Sequence, residues 1–88
     1  MSIKRGQMYL IGITNDTHSC GSSHTWLCEV KGMKDARATA EVWGALNKHD
    51  KVYMIFPAQY TQKVCEMNSE DFISHIKKIG FILYERVK

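Results

Sequence analysis

The stretch from Gln7 to Thr14, QMYLIGIT, sets the first condition on the fold. Its apolar and β-forming residues follow one another without alternating with polar ones, so it reads as a buried strand. Residues 52–56 (VYMIF) repeat the pattern and are stopped by Pro57, which cannot donate to a strand ladder. Residues 81–87 (FILYERV) read as the last strand. Residues 24–30 (HTWLCEV) alternate, with Trp26, Cys28 and Val30 on one face and Gly32 as the stop. Residues 60–65 (YTQKVC) alternate as well and read as an optional fifth strand.

Two segments carry helical period. In residues 33–48, Met33, Ala36, Ala40, Trp43 and Leu46 form one stripe, with Lys34, Arg37, Glu41 and Lys48 on the other side. The small alanines let such a helix lie close to a sheet. Gly44 costs up to ~1 kcal/mol relative to alanine inside a helix, which calls for a packing reason. The second helix starts after an Asn68–Ser69 cap, with Glu70 and Asp71 in its first turn. Phe72, Ile76 and Ile79 form its buried stripe, Lys77 and Lys78 stand near its end, and Gly80 terminates it.

The order β-β-α-β-(β)-α-β predicts an α+β fold. The expected form is a small two-layer sandwich, a four- or five-stranded, mostly antiparallel sheet with two helices on one face. With 88 residues, positions 1–88 make a single domain. Hydrophobic residues at 44% and charged residues at 24% argue against global disorder. The apolar run near the start is too short for a secretory signal core, and nothing approaches the ~20 apolar residues of a membrane span. A cytoplasmic location is the expectation. The three cysteines then read as thiols or metal ligands and not as a disulfide frame.

The densest group of reactive side chains is HSCGSSHTWLC, residues 18–28, with two of the four histidines and two of the three cysteines. His18, Cys20, His24 and Cys28 offer four zinc-type ligands, but without the Cys-x2-4-Cys knuckle of structural sites. If residues 24–30 are extended, His24 and Cys28 share a face yet stand ~13 Å apart at ~3.3 Å per residue. A Cys20 nucleophile served by His18 or His24 would lack a recognisable oxyanion hole. Gly21-Ser22-Ser23 falls short of phosphate-loop spacing. The plainer reading is a turn-rich loop leading into a strand, with no cofactor and no catalysis. His49 and His75 read as surface residues, and Cys65 as a packing residue at a strand end.

The formal charge of +3 favours an anionic partner without requiring one. Nucleic-acid binding would use Lys31, Lys34 and Arg37, with Lys77 and Lys78, beside strand aromatics that stack bases. Protein binding would use aromatics on an uncovered sheet face. With both helices on one side, Tyr9, Ile11, Ile13, Tyr53 and Ile55 would leave the other side apolar, which marks a partner or dimer surface. The expected function is therefore a non-enzymatic binding protein that occupies a protein partner through Tyr9, Trp26, Tyr53 and Tyr84, with homodimerisation in view. An inhibitor, an adaptor, or an antitoxin-like or viral host-factor-blocking protein fits that description. RNA or single-strand binding is the alternative, and a small metal-binding protein is the third.

Overall fold

The computed structural model describes residues 7–14 and 22–86. Four strands, β1 (Gln7–Thr14), β2 (Ser22–Glu29), β3 (Lys51–Ile55) and β4 (Phe81–Glu85), form one sheet in the order β2-β1-β3-β4. Every neighbouring pair is antiparallel. Helix α1 (Met33–Leu46) joins β2 to β3. A 3-10 turn (Pro57–Gln59), the one-turn helix α2 (Gln62–Cys65) and helix α3 (Ser69–Ile79) join β3 to β4. The α+β class, the antiparallel sheet and the two main helices are as the sequence predicts.

The helices do not share a face. Leu10 of β1 and Val52 and Met54 of β3 pack with Val30, Leu83, Ala36 and Ala40, which is the α1 side. The intervening residues Ile11, Ile13, Tyr53 and Ile55 pack with Val64, Phe72 and Ile76, which is the α2–α3 side. The expectation of two layers with both helices on one face is thus corrected to three layers, helix–sheet–helix. The reason is already present in β1 and β3. Strands that are apolar at successive positions have no face to give to water, so each face takes a helix.

A fifth strand does not form. Thr61 instead caps α2, its Oγ1 accepting from the Val64 amide at 3.4 Å, and Val64 turns into the α3-side core. The α3 start is as expected, with Asn68 Oδ1 accepting from the Asp71 amide at 2.8 Å. Gly80 ends that helix in extended conformation. Gly44 has its packing reason: a Cβ there would stand 2.5 Å from the Tyr84 ring and 3.0 Å from Val52. Glycine lets α1 sit down on β3 and β4. The expected α1 stripe is right at Ala36 and Ala40 but wrong at its ends, since Met33 and Leu46 are exposed. At ~100° per residue the line 36-40-43 continues to residue 47 and not to residue 46.

The exit from α1 is a reversal with left-handed backbone at Lys48, φ 56°. The His49 amide donates to Gly44 O at 2.9 Å and the Lys48 amide to Ala45 O at 3.3 Å, the paired bonds of a Schellman cap. The usual glycine is absent, so the cap carries a strain that glycine would not. Lys48→Gly is expected to stabilise the fold by about 0.5–1 kcal/mol. Chemical denaturation measures this, and an unchanged or lower midpoint would contradict the account.

Candidate functional site

The β1–β2 ladder sets Gly12 against His24, Leu10 against Trp26 and Met8 against Cys28. Directly opposed residues share a face, so His24, Trp26 and Cys28 all project to the α1 side. Helix α1, however, lies over β3 and β4. The α1 side of β2 is therefore covered by side chains alone. Trp43 reaches across to Trp26 with ring centroids 5.4 Å apart. Trp43 also packs at a tilt against His49, centroids 4.9 Å apart, and His24 lies 5.4 Å from the same imidazole. Four rings from β2, α1 and the α1–β3 turn thus form one cluster.

His49 is at its centre, and the sequence places it wrongly. Expected on the surface, it is 0% exposed, because the Lys48 reversal turns it inward. Its ring occupies the space where a residue-12 side chain would be: a Cβ on Gly12 would run into Cγ, Cδ2 and Nε2. Nδ1 is hydrogen-bonded to Thr14 Oγ1 at 2.9 Å. Nε2 is buried and has no hydrogen-bond partner among the described residues. Burial, and then the neighbouring His24, push the His49 pKa down, against a smaller opposing pull from Asp50. Burial thus disfavours the charged form of the imidazole.

The expected contact residues divide between the two faces. Tyr9 is half-buried on the α3 side against Tyr60, centroids 4.3 Å apart. Tyr53 is only 4% exposed in the α3-side core. Tyr84 packs on the α1-side core. Of the four, Trp26 alone is open to solvent, at 40%. The apolar sheet face invoked for a partner is covered by the chain's own α3, which withdraws Tyr9 and Tyr53 from that role. The basic set divides as well. Lys31, Lys34 and Arg37 lie in and before α1, whereas Lys77 and Lys78 end α3 on the opposite face. They do not compose one surface.

The metal set does not close. His24 and Cys28 lie on one extended strand, ~13 Å apart at ~3.3 Å per residue, beyond the joint reach of ~2.0–2.3 Å bonds to one ion. His18 and Cys20 lie outside the described residues. Among the described residues no group of three or more His, Cys, Asp or Glu is placed to hold a metal. Burial, with Asp35 adding to it, pushes the Cys28 thiol pKa up, opposite to what an activated nucleophile needs. Cys65, read as a packing residue, is exposed at the end of α2.

The sequence reading missed the apolar flank of α1. Gly44 of α1 faces Tyr84 of β4, and Trp43 faces Trp26 of β2. Beyond Trp43, away from β4, come Leu46 and Val42, one turn apart at i+3 and i−1 from Trp43. They are 76% and 61% exposed. On the opposite flank, next to Gly44, stand Arg37, Glu41 and Lys34, all exposed. Trp26, Trp43, Leu46 and Val42 so lie together as an apolar strip at the C-terminal end of the β2 side of α1, free of the basic residues, with Asp35 at the other end of that side, beside Cys28. No known family, curated protein or solved structure matches the chain. No helix among the described residues is long and apolar enough to cross a membrane.

Two outcomes test the centre of the cluster. Gly12→Ala is expected to destabilise by about 2–3 kcal/mol, because the new methyl displaces a buried ring. Combined with His49→Ala it should show favourable coupling of about 1 kcal/mol or more in a double-mutant cycle, and strict additivity would disprove the contact. The second outcome concerns pH. A histidine whose folded pKa is depressed binds more protons unfolded than folded, so stability is lost as pH falls below the free imidazole value of about 6.5. The fall in denaturation midpoint on the acid side should be shallower in His49→Phe, by up to about one proton. Equal slopes in the two proteins would show that His49 does not supply it.

Proposed function

We propose that this chain is a non-enzymatic protein that acts by occupying a protein partner, as an inhibitor or adaptor does. The observation that carries the reading is the apolar strip of Trp26, Trp43, Leu46 and Val42. Leu46 and Val42 are exposed on a helix whose other flank is charged, and neither belongs to the buried cores. Exposed single apolar residues are ordinary, but a contiguous row anchored by two tryptophans is the composition of a contact surface. The contact residues are accordingly Trp26, kept from the sequence reading, with Trp43, Leu46 and Val42 in place of Tyr9, Tyr53 and Tyr84.

Nucleic-acid binding has less support. Its proposed cations stand on both sides of the molecule, and those of α1 stand on the flank away from the tryptophans. Stacking of bases beside phosphate contacts needs both on one surface.

The test is differential. Wild type, the Val42→Asp/Leu46→Asp variant and the Lys31→Glu/Lys34→Glu/Arg37→Glu variant are each used as bait. Bound proteins and nucleic acid are then identified by mass spectrometry. All five positions are exposed, so the variants should melt like the wild type within about 0.5 kcal/mol per site. A protein partner lost with the aspartates and kept with the glutamates supports the reading. A ligand kept with the aspartates and lost with the glutamates, with a steep salt dependence, overturns it in favour of nucleic acid.

A further inference from the structure

The two edges of the sheet are built differently. β4 is five residues long, its pairing with β3 is broken by a register shift at Val52/Tyr53, and it ends in charge. Glu85 pairs with Lys51 at 3.9 Å, and Arg86 follows, paired with Asp50 at 3.6 Å. Short length, irregular register and charge are the devices that keep a strand edge from recruiting another strand. β2 lacks the first two, and like β4 it carries charge only at its last residue. It is eight residues long, pairs with β1 without a register break, and contains no proline and no lysine. Its single formal charge is Glu29. Its outer edge offers a full row of backbone donors and acceptors with no neighbouring strand among the described residues.

We infer that the β2 edge pairs antiparallel with β2 of a second copy of this chain, joining two sheets of four strands into one of eight. Two-fold symmetry restricts the register. The axis stands perpendicular to the sheet, so each residue keeps its face and must oppose a residue of the same parity. Centring the axis on Trp26 pairs nearly the whole strand. Trp26 then faces its own copy, with Cβ atoms about 4.5–5.5 Å apart. Thr25 faces Leu27, His24 faces Cys28, and Ser23 faces Glu29. No like charges meet, and the chain's basic surplus stays off the edge. Leu27 and Trp26, exposed in the single chain, are each covered from one side. A second copy suits this edge because the strand is complementary to itself in that register, with an aromatic pair at its centre.

Seven strand residues from each chain fall well below the ~20–30 a side of a standard interface. The dimer is therefore weak and concentration-dependent, forming in the micromolar range. This inference does not rest on the partner reading, because it concerns the strand edge and needs only the purified protein.

Sedimentation velocity from about 1 μM to about 1 mM tests it. Wild type should move from the mass of one chain to that of two. Trp26→Lys and Trp26→Glu, each folded by circular dichroism, should stay single at every concentration, because each places like charges opposite one another. An equimolar mixture of the two should restore a dimer of one chain of each. A wild type that stays single throughout overturns the inference and leaves the Val42/Leu46 test of partner binding untouched. Variants that still dimerise, or a mixture that stays single, overturn the Trp26-centred register. A Leu27→Lys variant tests the edge away from Trp43, and dimerisation undiminished in it also counts against edge pairing.

Discussion

Everything in this fold follows from two strands that cannot face water on either side. β1 sends Leu10 one way and Ile11 and Ile13 the other. β3 does the same with Val52 and Met54 against Tyr53 and Ile55. A chain of 88 residues has enough length to cover each face with one helix and little more. The result is two small cores with the central strands as their common wall. α1 closes one with alanines and a glycine, which bring it close to the sheet. α3 closes the other with Phe72 and Ile76, and Val64 of α2 adds to it. The outer strands β2 and β4 are left with thinner cover, and the exposed aromatic and aliphatic side chains gather there.

The sequence disclosed the elements better than their arrangement. β1 is legible to the residue, because a dense apolar run has one interpretation. The start of α3 is legible because Asn68 and Asp71 are a chemical cap and not a statistical tendency. The side of the sheet on which each helix lies was not legible. Periodicity tells which residues of a helix are buried, and says nothing about the face that buries them. That one ambiguity moved Tyr53 from a supposed contact surface to a core. Alternation misled at residues 60–65, where a local hydroxyl cap outweighs strand propensity.

Within the candidate site, Trp26 was legible as an aromatic on a polar, alternating strand. His49 was not. Its burial depends on a left-handed residue that is not glycine, and lysine gives no signal of such a turn. The available clue lay elsewhere in the chain. Gly12 interrupts an otherwise bulky strand, and glycine in a strand marks the close approach of another group. That group is the imidazole, thirty-seven residues later in the chain, and no local pattern connects the two. The leucine and valine of the α1 flank were hidden for a related reason. A residue exposed on one edge of a helical stripe looks, in sequence, like the stripe itself.

Val42, Leu46 and Leu27 lie outside both cores. Trp43, by contrast, packs against the α1-side core and His49, so the exposed apolar residues adjoin the fold's own packing at one point. Substitutions at the three exposed positions leave the two helix–sheet cores intact, so that surface is free to change in sequence while the scaffold is held constant. Mutational tolerance in this chain is accordingly uneven: the central strands accept little, and the exposed positions Val42, Leu46 and Leu27 accept more.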